Sequence, residues 1–596
     1  MKQNSFLDYK KHKWFIIIGL FAFTFLLYAN TLSNDYAIDD MIVTTDNPLV
    51  NKGIEGIGEL ITHGYFYANT GRNDESYRPL SMVMIALETE FFGLKPSVNH
   101  FFNVLFYSLT SVILFLFLRL VFKEKNIAIP LAISLLFLSH PIHTEVVANV
   151  KSRDEIIQLF FMILSLLLLF KAYEKPNCQT LLKCLTIFGS IFSYFLALMS
   201  KEIAITFLAV IPLLLYFFSD LKIKKIAIYT IPYFAIFLIY MLLRISILDN
   251  VAIDKEISIY QNSLFAASNI WDFLATNMTV HLKYLQLLVY PHPLSWDYSY
   301  NQIPVVNFAN PQAIFSVIIF LSLLAYAIYS FLKKNPISFS ILYYLITISI
   351  VSNFVVRIAS TMGERFIYTA SLGFAIFIVF LGNNLLKKIK TSDFNKTVII
   401  FVVLGTITLL YSNKTINRNK DWKNNATIYK SGAIASPNSA RTHLALADEY
   451  RIKFIENQSN ITLQNSISEY ERALEIYPEN PSAYFSYGYL YYTINQKDKA
   501  FELFQKGISY DSLHVDMLNY IGIIYTEKND FENGEIYFTK VLDIQADYTH
   551  ALNNLAFIYT QTKEFDKALE LYQKLIDWGK ATDETYKKIE QIKTLR

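Results

Sequence analysis

About eleven apolar stretches, each near the length of a helix that crosses a bilayer, occupy the first 412 residues and leave little freedom in the fold. A hydrocarbon core of about 30 Å needs about 20 helical residues, because lipid offers no partner to an unpaired peptide group. The first stretch, "WFIIIGLFAFTFLLYAN", follows Lys10, Lys11 and Lys13. A signal peptide shares such a basic start, but this run is long enough to span and no small-x-small cleavage site follows it, so it reads as a retained first span. The others lie near 100–121, 127–140, 156–171, 185–199, 203–218, 226–243, 313–332, 337–355, 371–386 and 397–412. With 53% of its 596 residues hydrophobic and 17% charged, the chain has the composition of an integral membrane protein carrying a soluble part.

Lysines orient the loops between these stretches. Lys123 and Lys125, then Lys171, Lys175 and Lys183, then Lys222, Lys224 and Lys225, then Lys333 and Lys334, then Lys387, Lys388 and Lys390 fall on alternate loops, on the side of the N-terminus. The positive-inside rule makes that side cytoplasmic. Every opposite loop carries an unusual polar motif: "YAIDD", "YRPLS", "SHPIHTEVVANVKSRDE", "MSKEIAIT" and "MGERFIYTASLG". Residues 244–312 fit less well, since Asp272, His281 and Lys283 interrupt an apolar run. One more crossing there would invert the lysines downstream, so this region is predicted to lie as a helix or hairpin on the outer face.

From about residue 436 the composition becomes soluble and a period of 34 emerges. Gly488, Gly522 and Ala556 share one repeat position; Tyr491, Tyr525 and Tyr559 share another. Ala500, Gly534 and Ala568 follow in phase, then Phe504, Phe538 and Tyr572. Small residues let paired helices approach and aromatics fill the groove between them, which is the tetratricopeptide (TPR) pattern. An earlier unit, with Ala447, Tyr450, Tyr470, Ala473 and Pro478, carries an insertion around "IENQSNIT". Such an array offers a concave surface to an extended peptide.

Asp39 and Asp40 are the sharpest local feature, a carboxylate pair immediately after the first span. A solvated turn would explain them in isolation; at a membrane boundary an ionisable pair is a functional candidate. One could act as a general base while the other raises its pKa or holds a partner. His140 and His143, at His-x-x-His spacing, could bind metal, but a hydrogen-bonded cluster at a helix start, with Pro141 at the first turn, fits better; Glu145 lies in the same stretch. Arg78, Arg153, Lys201 and Arg365 all lie on the non-positive face. A cation at a span end is usually a snorkelling anchor, yet four against the topological rule point to an anionic ligand, and phosphate suits arginine. No P-loop, GxSxG or HExxH motif occurs, and Cys178 and Cys184 make neither a zinc site nor a disulfide framework. The net charge of +3 is spread along the chain, which argues against nucleic acid. A reaction on the outer face without nucleotide needs a donor already activated, and a lipid-linked phosphate sugar is one.

Taken in order, "YAIDDMIVTTDNPLV", "YRPLS", "HPIHTEVVANVKSRDE", "LMSKEIAIT", "GERFIYTASLG" and the TPR tail resemble the transmembrane and TPR-repeat-containing O-mannosyltransferase family, within the C-type glycosyltransferase superfamily. The resemblance implies an all-α fold: a polytopic membrane domain over 1–412, a linker over 413–435 and an extracytoplasmic TPR solenoid over 436–596. It implies a polyprenyl- or dolichyl-phosphate sugar donor and hydroxyl acceptors, Ser or Thr of secretory-pathway proteins in the animal members. The superfamily's base, an acid in the first extracytoplasmic loop, maps onto Asp39 or Asp40, with Asp40 favoured and Asp39 orienting the loop or holding acceptor or ion. Arg365, Lys201, Arg78 and Arg153 would bind the donor phosphate, and His140, His143, Glu145, Glu202 and Tyr368 would shape the site. The sequence does not demand a metal, though a divalent cation could share the phosphate. The Lys/Ile/Asn-rich composition suggests a bacterial inner membrane with a periplasmic TPR domain, or the ER membrane with a lumenal one in a eukaryote. Two other readings stay open: transfer to a lipid or surface glycan, and a non-enzymatic TPR scaffold.

Overall fold

The computed structural model describes residues 9–73, 76–122, 127–174, 180–248, 257–388 and 393–596. Lys123, Lys125, Lys175, Lys390 and Cys178 lie outside them. Among the described residues there is no strand, and the chain forms two compact units, Met1–Pro437 and Asn438–Arg596.

In the first unit each expected apolar stretch is helical over most of its length. Among the described residues seven helices are long and apolar enough to cross a membrane, and Ala128–Leu138 with Pro141–Ala148 makes an eighth candidate bent by 51°. The bend falls where His140 precedes Pro141: proline disfavours helix at the residue before it and then starts the next turn. Glu202–Phe218 and Pro336–Val351 are apolar but shorter, and Asp393–Asn419 occupies the last position. The fold therefore has the expected all-helical membrane character, with seven or eight clear spans.

The two ends of this bundle differ in kind. At one end the Phe122 ring packs against Phe218 and Phe380, Lys334 donates to the Ser219 carbonyl at 3.1 Å, and Tyr173, Lys183 and Lys225 line one crevice. At the other end the "YAIDD", "YRPLS", "VKSRDE", "SKE" and "GER" motifs meet through ion pairs. Between them lies an apolar core of Tyr107, Phe115, Phe137, Leu159, Phe170 and Phe207 with their neighbours.

One part of the expected layout changes, and another, left open as helix or hairpin, is a helix. Residues 413–435 are not a linker. The Asp393–Asn419 helix runs through it and the Asn425–Ala435 helix follows. Asn34 donates to the carbonyls of Asn419 and Trp422, Trp422 is buried, and Ser436 Oγ donates to the Asp297 carbonyl at 2.8 Å. The asparagines that make this stretch look like linker are its hydrogen-bonding groups. Residues 270–289 form one helix, Ile270–Val289, whose Val280, Tyr284, Leu287 and Leu288 pack on Ile142, Ile203 and Ile367. Asn277 and His281, polar on its buried side, bond to the Ser352 carbonyl.

The second unit is four helix pairs and a final helix, Asp583–Leu595. Its repeat positions have the expected cause: a β-carbon on Gly488 would lie 2.5 Å from the Phe504 ring, and one on Gly522 2.7 Å from Phe538. In the first pair the inserted residues lengthen both helices, Ala440–Asn457 and Asn460–Ile476, around a left-handed Gln458 at φ 53°. Cys184, in the first unit, is exposed.

Candidate functional site

After the first helix the chain makes a short 3₁₀ turn, Ala29–Ser33, and another, Ile38–Val43, that carries both aspartates. Ile38, the first residue of the second turn, sits at φ 54°, a conformation that costs a β-branched residue about 1–3 kcal/mol and needs support from its surroundings. The support is Asn425, whose Oδ1 accepts the Ile38 N–H at 2.7 Å. The carboxylates meet opposite environments. Asp40 is fully buried; its Oδ1 accepts the Lys151 N–H at 2.8 Å and its Oδ2 the Ala37 N–H at 3.1 Å. Burial pushes its carboxyl up to about 7 against the pull of those two amides. Asp39 keeps 35% of its side chain exposed and faces the Lys151 ammonium at 3.6 Å.

Beside this loop lies a network of charges from four separate segments. Arg78, just before the Pro79–Phe92 helix, puts Nη1 2.8 Å from Asp154 and Nε 3.0 Å from Glu202, with its guanidinium over the Tyr65 ring. Asp154 and Glu155 sit in the first turn of the Arg153–Glu174 helix, where the helix dipole favours carboxylates. The Lys201 ammonium lies 3.2 Å from Asp154 and 2.7 Å from Glu155. Arg365 binds Glu145 twice, through Nη1 and through its backbone N–H at 2.9 Å. Its side chain is 27% exposed, lying over Phe366. Asp39, Lys151, Arg78, Glu202 and Arg365 are the partly exposed members, and Asp154, Glu155, Lys201 and Glu145 are buried beneath them.

Arg153 does not join this group. It is fully buried, its Nη1 2.5 Å from Glu88, its Nε 2.7 Å from Asn103 Oδ1 and its Nη2 2.7 Å from the Asn99 carbonyl. With each nitrogen bonded and the side chain fully enclosed, it is not open to a phosphate and serves instead to tie three helices together. The histidines are likewise held from all sides. His140 Nε2 pairs with the Leu288 carbonyl and its Nδ1 accepts the Ile142 N–H; His143 pairs with Tyr107 Oη at 2.8 Å and Ser371 Oγ at 2.9 Å. Each ring nitrogen of the two histidines is thus engaged in a hydrogen bond. Tyr368 is buried, edge-on to His143. Among the described residues no three His, Cys, Asp or Glu side chains group as a metal set.

Sequence reasoning missed Glu88, Asn99 and Asn103 around Arg153, and Glu364, whose Oε1 accepts from Ser295 N–H at 2.6 Å and Tyr298 Oη at 2.8 Å. It also missed Lys151 as the residue that contacts both aspartates. A lysine alone against the topological rule was its only signal.

The second unit has its own cavity of about 390 Å³ within the repeats, lined by Arg451, Phe485, Tyr489, Asp516, Asn519 and Tyr520 among others. Asn519 and Asn554, from successive repeats, share a hydrogen bond at 3.2 Å, and Tyr548 Oη donates to Asp516 at 2.5 Å.

Residues 469–502 match one tetratricopeptide repeat family, and 515–548 and 549–579 match another. The chain therefore carries tetratricopeptide repeats. It is similar to human protein O-mannosyl-transferase TMTC1, 24% identical over 78% of this chain and 55% of that protein. Human protein O-mannosyl-transferase TMTC3 is 23% identical over 80% of this chain and 53% of its own length. Protein O-mannosyl-transferase F38B6.6 of Caenorhabditis elegans is 23% identical over 72% of this chain and 59% of its own. The chain thus spans little more than half the length of these relatives. Among solved structures, a crystal structure of MamA superposes with a TM-score of 0.23 at 18% identity, covering 30% of this chain and 96% of that one.

Proposed function

We propose that the protein is a membrane glycosyltransferase that moves a sugar, mannose by the names of its relatives, from a polyprenyl-phosphate donor to Ser or Thr hydroxyls of extracytoplasmic proteins. The observation that carries this reading is the pairing of an open carboxylate, Asp39, with a lysine and two partly exposed arginines in one cluster, within a chain similar to named O-mannosyl-transferases. A base and a phosphate-binding cation set are the two things that this transfer needs.

The reaction is a single displacement. Asp39 takes the proton of the acceptor hydroxyl as its oxygen bonds to the anomeric carbon. The bond from that carbon to the phosphate oxygen breaks, and the electron pair leaves with the polyprenyl phosphate. A phosphodiester monoanion becomes a monoester dianion, and Arg365 and Arg78 stabilise the added charge. Asp39 is the better base of the pair, because a base must reach its proton and Asp40 is enclosed with both oxygens occupied. Asp40 braces the loop, so the roles favoured from sequence exchange. A divalent cation on the phosphate would supply further charge stabilisation; Asp39 and Glu202 are the carboxylates open enough to meet it.

The repeats supply the acceptor's docking surface. Amides such as Asn519 and Asn554 suit the backbone of an extended chain, and the Phe485, Tyr489 and Tyr520 rings suit an apolar side chain. This favours a protein acceptor over a glycan. With the lysine-bearing loops cytoplasmic, the charged cluster lies on the opposite side, in the periplasm of a bacterium. The test is transfer by the purified full-length protein from a polyprenyl-phosphate mannose to a Ser/Thr-rich peptide, read by mass spectrometry. A mass gain of one hexose on the peptide supports the proposal. Transfer only to lipid or glycan acceptors overturns the protein-acceptor part, and no donor turnover with any hydroxyl overturns the whole.

A further inference from the structure

Lys151 touches both members of the aspartate pair in different ways. Its backbone N–H is fixed on Asp40, while its ammonium is 3.6 Å from Asp39, too far for a hydrogen bond. Among the described residues that is its one ion pair, and its side chain keeps 13% of its surface open. Lys201, by contrast, is gripped at 2.7 and 3.2 Å by two buried carboxylates, and Arg153 is fully buried against Glu88. The charged groups acting on Lys151 come from every neighbouring segment: Asp39 from the first loop, Arg78 from the next, Asp154 from its own helix start, and Arg365 from the turn before the Tyr368–Lys387 helix. Burial and the two arginines push its ammonium below the ordinary lysine range, against Asp39 and Asp154. It is therefore a cation fixed by its backbone, loosely paired by its side chain and crowded by like charge. Such a group gains by an incoming anion.

We propose that Lys151 is a catalytic residue that passes its ion pair from Asp39 to the departing phosphate as the sugar moves. This deepens the function proposed above and rests on it. The charge balance of that reaction calls for such a group. As the hydroxyl proton reaches Asp39, the carboxylate loses its negative charge; as the phosphate leaves, it gains one. One unit of negative charge thus crosses from the carboxylate to the phosphate, and a mobile ammonium next to Asp39, in the field of Arg78 and Arg365, can follow it. In the resting site the ammonium shields Asp39; once a phosphate draws Lys151 away, the carboxylate is left to take the hydroxyl proton.

The test is binding of two probes to the full-length protein at pH 8: a short-chain polyprenyl phosphate, which is a dianion there, and its methyl phosphodiester, a monoanion. Lys151→Gln is expected to weaken the monoester about tenfold and the diester far less, because the added charge is what Lys151 meets. Asp39→Asn, which leaves Lys151 without its carboxylate, is expected to tighten the monoester by a similar factor, and adding Lys151→Gln to it should abolish that gain. Lys151→Arg should restore most of the monoester affinity. Equal losses of both probes in Lys151→Gln, or no tightening in Asp39→Asn, overturn the role of Lys151 and leave the donor reading standing. A wild type that binds neither probe overturns the donor reading itself. A misfolded Lys151→Gln is bypassed by the Asp39→Asn measurement, which keeps the lysine.

Discussion

The backbone N–H of Lys151 donates to Asp40 Oδ1 at 2.8 Å, joining two residues that are 111 positions apart in the chain. That bond turns the first loop and the segment after the bent helix into one piece. It also divides the aspartate pair into a buried brace and an open carboxylate.

A brace has its own signature in pH. Burial raises the Asp40 carboxyl to about 7, above its value in the unfolded chain, so the native state holds the proton more tightly than the unfolded state does. Its contribution to stability is full in acid and is lost as the pH rises through about 7. Thermal unfolding of the wild type is expected to shift downward between about pH 4 and 7, and Asp40→Asn should flatten the part of that shift due to this group. An unchanged slope in the variant would remove Asp40 as its source.

Arg153 and Arg365 are expected to separate cleanly. Arg153→Lys breaks a buried pair and leaves Glu88 with a poorer partner, a change of about 3–5 kcal/mol when such a pair is lost outright. Its melting temperature should fall well below that of Arg365→Lys, while donor affinity of the folded fraction stays near wild type. A specific loss of donor affinity in Arg153→Lys would return it to the phosphate site.

Arg365→Ala should weaken donor binding more than Arg365→Lys, because a guanidinium grips phosphate with two parallel hydrogen bonds and an ammonium with one charge. The measurement is donor affinity at constant acceptor. Normal affinity in both variants would make Arg365 only the partner of Glu145.

In the repeats, Asn519→Ala combined with Tyr520→Ala should raise KM for a long peptide acceptor by about tenfold, one side chain of each binding type being lost. It should leave kcat and transfer to a small hydroxyl compound unchanged. Equal loss with both acceptors would take the cavity out of acceptor binding.

Much of this architecture can be read from the chain because its causes are local. Helix after helix follows from apolar length, and the solenoid from a 34-residue period in which glycine faces phenylalanine, as Gly488 faces Phe504. The site is legible as far as its cations: Arg78, Lys201 and Arg365 stand out against the lysine rule and do converge with Asp39. What is not legible depends on distant partners. Asp39 and Asp40 are neighbours of the same type, and only Ile38 at φ 54°, held by Asn425, and the Lys151 amide decide which one faces outward. Arg153 looks like Arg78 until Glu88 is seen beside it. Residues 413–435 look like a linker because asparagine and lysine are common in loops, yet here the asparagines bond helix to helix.

On the proposed mechanism Asp39 carries the proton transfer and Asp40 braces the loop. Sugar transfer by purified Asp39→Asn and Asp40→Asn, each with its melting temperature, tests it most directly. An amide cannot take the hydroxyl proton, so Asp39→Asn should lose about 10²–10⁴ in kcat with little change in melting. Asp40→Asn puts an amide group against two backbone donors and should lose stability by about 1–3 kcal/mol, with folded protein still turning over. Near-normal turnover in Asp39→Asn, with the large loss in well-folded Asp40→Asn, would contradict the account.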